Sequence, residues 1–180
     1  KWEKTTNYWN IYQSLFRQEA YPIADNFNLP VREHDNKRIV QGNGFAIPEA
    51  HEGIDLNLQE TRRIINEDLG EEITSIANGK VVFADRIYGT PGLGKTVVLE
   101  HITEGTKVLS LYAHLEDIKV NKGDIVEIGQ SIATMGNSGG QMDSHLHFSI
   151  FPAATKREKE FNHYLQLKYQ GEEVNPYLEV

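Results

Sequence analysis

Ser144-His145-Leu146-His147-Phe148-Ser149-Ile150-Phe151 alternates two histidines with apolar residues just ahead of Pro152. On a strand, side chains two apart share a face and stand roughly 6.6–7 Å from each other. His145 and His147 are therefore expected on one face, with Leu146 and Phe148 turned into a core. Taken alone, a His-x-His strand is ordinarily a pair of surface or core imidazoles, and a metal site needs further ligands. Two upstream stretches offer them: His51-Glu52-Gly53-Ile54-Asp55 and Tyr112-Ala113-His114-Leu115. Histidine and aspartate are both ligand types that zinc accepts, and three protein ligands with one open position is the catalytic pattern.

Together the three stretches resemble the lysostaphin-type (LytM-like) zinc metallopeptidases, which cut peptide bonds of bacterial cell walls. In that family an H-x-G-x-D motif gives one histidine and one aspartate to zinc, and the second histidine of a late H-x-H gives the third ligand. The resemblance therefore implies His51, Asp55 and His147 as metal ligands. The family's two non-ligand catalytic histidines lie in a Y-x-H-L motif and at the first position of H-x-H, which implies His114 and His145. The likeness runs from about Phe45 to Phe151 and takes in Gly79-Lys80-Val81-Val82, Gly123-Asp124-Ile125-Val126 and Gly129-Gln130. What it implies is a zinc-dependent endopeptidase of peptidoglycan cross-links, acting outside the cytoplasm and built on a core of the duplicated hybrid motif type. One departure is Gly44-Phe45-Ala46-Ile47-Pro48, where the family commonly has an F-G-x-R-x-H-P-like entry; it concerns the wall of the cleft and not the ligands. Relatives that have lost ligands act by binding, so the alternative is a non-hydrolytic cell-wall-binding or hydrolase-regulating protein. That alternative expects gaps in the metal set, and all five positions are filled.

At 180 residues the chain has room for one domain with a sizeable core. Its 39% hydrophobic and 24% charged residues read as a soluble globular protein, and no apolar run is long enough to span a bilayer. A formal net charge of −8 argues against a nucleic-acid partner, because phosphate binding needs a basic face. With no cysteine, disulfides and thiolate metal sites are excluded, and any zinc must be held by nitrogen and oxygen. The sequence begins at Lys1 without a charged-then-apolar leader, which leads to the expectation that a secretion signal has been removed or is not included in this sequence, with secretion itself implied by the resemblance. Oligomeric state is not legible.

In chain order, Tyr8, Ile11, Tyr12, Leu15 and Phe16 recur at helical spacing and predict an amphipathic helix over 5–20. Residues 21–44, rich in proline and asparagine, read as a loop-rich lead-in that completes an N-terminal segment 1–44. The peptidase core is expected over 45–151. Within it, 57–70 is expected as a surface insertion of one or two helical turns near the cleft rim, where loops often govern substrate fit. From Glu72 on, glycine-punctuated runs rich in β-branched residues predict strands at 73–77, 80–85, 96–101, 107–114, 125–127, 131–134 and 145–151. The fold class is thus mainly β, an antiparallel core with flanking N- and C-terminal helices. The second helix is predicted over 156–169 from Phe161, Tyr164, Leu165 and Tyr169, within a segment 152–180 that packs on the core.

Three rival motifs fall on physical grounds. His51-Glu52 resembles the start of an H-E-x-x-H helix, but position 55 is Asp, Gly53 costs a helix interior roughly 1 kcal/mol, and Pro48 lies just upstream. A strand entry is expected instead, with Glu52 pointing away from the metal and dispensable. Gly89-Thr90-Pro91-Gly92-Leu93-Gly94-Lys95-Thr96 matches the phosphate-cradling loop letter for letter, but that loop needs a helix after it, and Val97-Val98-Leu99 is strand-like. Ala84-Asp85 and the 123–130 stretch resemble lipoyl and biotinyl carriers, yet Met135-Gly136-Asn137-Ser138-Gly139-Gly140 lacks their hairpin lysine. His34 and His163 are expected at the surface, and His101 is expected to be structural.

Overall fold

A computed structural model describes residues 23–42, 51, 53–60, 65–88, 92–103 and 106–152. These residues form nine strands and no helix: β1 (Arg38–Gln41), β2 (Ile54–Gln59), β3 (Glu72–Thr74), β4 (Gly79–Ile87), β5 (Gly94–Thr103), β6 (Thr106–Ile118), β7 (Ile125–Val126), β8 (Ser131–Met135) and β9 (Leu146–Pro152). Every strand pairing is antiparallel, in the order β1-β2-β9-β6-β5-β4-β7, with β8 joining β3 to β6. The expected mainly antiparallel architecture is what forms, and the seven strands read from the sequence correspond to β3 through β9. The helices expected over 5–20 and 156–169 lie outside the described residues.

The lead-in needs one correction. Arg38-Ile39-Val40-Gln41 is not loop but an edge strand, pairing Arg38 with Gln59 and Gln41 with Leu56. Three of its four side chains are exposed, so it lacks the apolar alternation that marks a half-buried strand. β3 is shorter than expected: its ladder with β8 shifts register between Ile73 and Thr74 and ends at the Thr74–Ser131 pair.

Strand alternation sorts the side chains onto two faces. One face carries the larger cluster, with Ile73, Ile76, Val81, Val97, Leu99, Tyr112, Leu115, Ile132, Met135, Leu146 and Phe148. The other carries Phe83, Ile87, Val98, Leu109, Leu111, Ala113 and Phe151. Tyr112 and Leu115 are three apart yet share the larger cluster, which a regular strand would forbid. The register of β6 against β5 shows why: Val97 faces Tyr112 and Lys95 faces Leu115, so β6 spends one extra residue there as a bulge.

A buried chain of polar groups crosses the larger cluster. Tyr112 is fully buried, and its hydroxyl accepts the Ile76 N–H at 3.1 Å. Ser110 Oγ lies 3.2 Å from that hydroxyl and 2.7 Å from His101 Nε2, while His101 Nδ1 donates to the Asn78 carbonyl at 2.8 Å. Burial pushes the Tyr112 phenol up to about 12 and pulls His101 below the usual imidazole range, so both groups are neutral at pH 7. His101 thereby holds β5 to the turn before β4, which is the structural part expected of it. His34 is exposed as expected, but its Nε2 is 2.7 Å from Glu71 Oε2, and Lys37 Nζ is 2.5 Å from Glu71 Oε1.

Tyr112→Phe removes the acceptor of a buried N–H and should cost about 1–3 kcal/mol in chemical denaturation, with the strand content unchanged. Hydrogen bonds to Glu71 and then Asp35 raise the His34 pKa above its ordinary value of 6.5. Because the folded value is the higher one, the stability from this pair is full below the unfolded pKa and fades as pH rises through the folded one. An NMR titration of the His34 ring should therefore give a midpoint above 6.5 that falls back in Glu71→Gln.

Candidate metal centre

β9 lies between β2 and β6, and its register sets one row of side chains across three strands: Asp55 faces His147, and His147 faces Ala113. Residues directly opposite in an antiparallel pair share a face, so Asp55 and His147 stand on the side of the smaller cluster while Leu146 and Phe148 enter the larger one. This is the alternation expected of the His-x-His stretch. It also settles the H-E-x-x-H question, since Asp55 is on a strand and not on a helix. Glu52 lies outside the described residues.

The glycine between His51 and Asp55 has a steric reason. A Cβ on Gly53 would stand 2.6 Å from the Phe148 carbonyl oxygen and 2.8 Å from both His147 Nε2 and Ser149 Oγ. Any larger residue would push β9 away and the ligand row with it. Across this close approach, His51 Nε2 reaches within 2.9 Å of Asp55 Oδ1 and 3.0 Å of His147 Nδ1, and His147 Nδ1 is 3.3 Å from Asp55 Oδ1. Neighbouring ligands of a tetrahedral zinc at a bond length near 2.05 Å are about 3.3 Å apart, so the three atoms stand at a separation that suits the metal. Lone pairs converging this closely repel one another unless a cation or proton lies among them. Two imidazoles and a carboxylate are also a donor set that zinc accepts. Among the described residues, this trio is the group of three that could hold a metal ion.

His114 is delivered by the bulge in β6. Its φ of 61° is left-handed, a conformation histidine adopts more readily than most residues but at a cost of roughly 1–2 kcal/mol. Up to Ala113, β6 pairs with β9; from Leu115 it pairs with β8. The extra residue sits where β6 changes partner and turns the His114 ring toward the other imidazoles. Ring centroids are 4.7 Å from His145 and 5.7 Å from His147. Gly136 makes room for the crossing, since a Cβ there would meet Glu116 N at 2.4 Å and the His114 carbonyl oxygen at 2.5 Å. Burial, with the neighbouring His145 and His147, takes the His114 pKa down to about 3, so its ring is neutral at pH 7.

Two contacts absent from the sequence reading orient these rings. His114 Nδ1 is 2.9 Å from Ser138 Oγ. His145 Nδ1 is 2.8 Å from the Asp143 carbonyl, which can only accept, so that nitrogen carries a proton; its Nε2 faces Asp55 Oδ1 at 3.7 Å. Ser138 lies in a glycine-rich loop where a single serine marks no motif, and a backbone carbonyl has no sequence signature.

Of the 57–70 segment expected as a surface insertion, residues 61–64 lie outside the described ones, and 65–70 is mostly exposed with one buried residue. β2 runs to Gln59, turns occupy 65–70, and Asp68 is buried beside Ser144. In the phosphate-loop lookalike, residues 89–91 lie outside the described ones, but Gly94, Lys95 and Thr96 open β5, all three paired with β4 and Lys95 also with β6. Lys95 Nζ donates to the Glu116 carbonyl. Among the described residues of this stretch there is no helix N-terminus to hold a phosphate.

Comparisons with known proteins identify the family. Among curated relatives, the chain is 34% identical over 113 residues to the murein hydrolase activator EnvC of Escherichia coli, covering 63% of this chain and 22% of that protein. It is 31% identical over 131 residues to the peptidoglycan DD-endopeptidase ShyB of Vibrio cholerae, covering 71% of this chain and 24% of that one. The chain thus spans less than a quarter of either relative. Among solved structures, a zinc-containing peptidase from Vibrio cholerae superposes with a TM-score of 0.54 at 27% identity, over 72% of this chain and 37% of that one. The catalytic domain of lysostaphin from Staphylococcus simulans superposes with a TM-score of 0.50 at 26% identity, over 67% of this chain and 84% of that domain. A family profile, that of Peptidase family M23, matches residues 49–176. With its H-x-G-x-D, Y-x-H-L and H-x-H motifs gathered in one site and the profile matched over more than half its length, this chain is a member of Peptidase family M23.

Proposed function

We propose that the chain is a zinc-dependent endopeptidase that hydrolyses peptide cross-links of bacterial peptidoglycan outside the cytoplasm. The observation that carries the reading is the completeness of the site: three ligand-type atoms within 4.8 Å of one another, with two further imidazoles at their side. His51, Asp55 and His147 would hold the metal. When bound, zinc supplies Lewis-acid polarisation of a carbonyl and lowers the pKa of a water to about 7.

The chain's own part is to move a proton and to stabilise developing charge. His145 donates Nδ1–H to the Asp143 carbonyl, so in the neutral ring Nε2 carries the lone pair and can accept a proton on the side of Asp55. His114, neutral and buried against Ser138, can present an N–H to an oxyanion when its ring nitrogen toward Ser138 acts as acceptor. The smaller apolar cluster beneath the site, with Leu111, Ala113 and Phe151, keeps the local dielectric low and strengthens these interactions.

A second reading has an observation behind it: the likeness to EnvC, named as a murein hydrolase activator. A regulator of that kind would bind the cell wall or a hydrolase without cutting a peptide bond. Among the described residues no helix is long and apolar enough to cross a membrane, which suits either reading.

Digestion of purified peptidoglycan by the zinc-supplied protein separates the two. The endopeptidase reading predicts soluble fragments whose masses show a hydrolysed peptide bond, release that a chelator abolishes, and losses on the order of 10²–10⁴-fold in His114→Ala and in His145→Ala with zinc retained. A protein that binds zinc and releases no fragment would transfer the assignment to the regulator.

A further inference from the structure

We propose that the turns at 65–70, ahead of β3, are a clamp that positions His145, with Asn66 and Asp68 as positioning residues; the inference rests on the reading of the metal centre above. His145 stands just ahead of β9, whose ladder begins at Leu146, and joins the sheet through an isolated bridge to Gly136 with an N···O distance of 3.2 Å, at the long end for such a bond. The residue before it is held far more firmly. Ser144 is 2% exposed, and all three of its polar groups are gripped from the 57–68 stretch.

Its N–H donates to Asn66 Oδ1 at 2.7 Å, its carbonyl accepts Asn57 Nδ2 at 2.8 Å, and its hydroxyl donates to Asp68 Oδ1. The other oxygen of Asp68 accepts the Leu58 N–H and Asn57 Nδ2, each at 3.1 Å. Asp68 is 1% exposed, and a carboxylate so buried is tolerated only when hydrogen bonds replace its water. Here they do, and they run between β2, which carries Asp55, and the residue next to His145.

The clamp has a fixed base. Gly70 N donates to the Met135 carbonyl and Met135 N to the Glu71 carbonyl, both at 2.8 Å, tying the segment to β8; Lys37 Nζ donates to the Glu67 carbonyl at 2.9 Å. Asn66 has a φ of 60°, a strained conformation that asparagine adopts more readily than most residues and that persists where the surroundings require it. Its amide is thereby aimed at Ser144 N. By fixing the Ser144 N–H, which shares one planar peptide with the Asp143 carbonyl, the clamp keeps that carbonyl on His145 Nδ1, and with it the orientation of the His145 ring.

The test compares Asn66→Gly, which tolerates the backbone but loses the acceptor, with Asn66→Asp, which keeps both. Long-range proton–nitrogen NMR of histidine-labelled protein reads the His145 tautomer with and without zinc, and competition with a chromophoric chelator reads the zinc Kd. The clamp predicts a single Nδ1–H form for His145 in the wild type and in Asn66→Asp. In Asn66→Gly it predicts averaging between tautomers, with the zinc Kd unchanged because His145 is not among the three ligand-type residues. An Asn66→Gly protein that is folded and gives the wild-type ring spectrum overturns the proposal. Should that variant not fold, Ser144→Ala removes only the hydroxyl contact and is judged by the same spectra, with a smaller change in the same direction expected and none overturning the clamp. A wild type that takes up no zinc would refute the metal reading, and the metal-free ring spectra would still decide the clamp.

Discussion

The whole arrangement depends on the pairing of β9 between β2 and β6. Backbone hydrogen bonds fix the register, the register places His147 opposite Asp55, and no side chain needs to search for its partner. A slip of one residue would turn His147 into the larger apolar cluster and bring Leu146 and Phe148 out onto the site. Burial of those two apolar side chains therefore enforces the geometry of the polar face. The energy that assembles the site comes mostly from the core behind it.

A regular sheet could not have brought His114 to the same place. The bulge in β6 adds the residue that turns His114 toward the site and returns Leu115 to the larger cluster. Its left-handed backbone costs roughly 1–2 kcal/mol, and burial of the ring costs it the charged form. Both costs fall on the residue whose chemistry benefits, because a neutral ring in an apolar setting can give a hydrogen bond at pH 7 without carrying its own charge. Gly53 and Gly136 meet a matching need from the other strands, allowing backbones closer than any side chain would permit.

Much of this was legible in the sequence, for identifiable reasons. The His-x-His alternation predicted which face carries the imidazoles, because period two is rigid on a strand. The absence of cysteine confined the ligands to nitrogen and oxygen, and strand-like Val97-Val98-Leu99 removed the phosphate-loop lookalike. What stayed hidden has equally physical causes. β1 is an edge strand with exposed side chains, so its pattern looks like loop. Asp68 and Asn66 sit in a polar stretch that composition alone assigns to solvent; only the fold shows that their acceptors are spent on Ser144, 76 and 78 positions further along the chain. The bulge leaves no mark beyond one extra residue between two core positions.

That three ligand-type atoms converge because of this strand register, and converge on a metal, is the central claim. Elemental mass spectrometry of protein purified without added zinc, on the wild type and on His147→Ala, tests it most directly. The account predicts about one zinc per wild-type chain, as a site of three protein ligands should hold, and loss of that zinc in a variant that keeps its β-sheet spectrum. A wild type that holds no zinc even after incubation with the metal, or a His147→Ala protein that holds as much as the wild type, would contradict it.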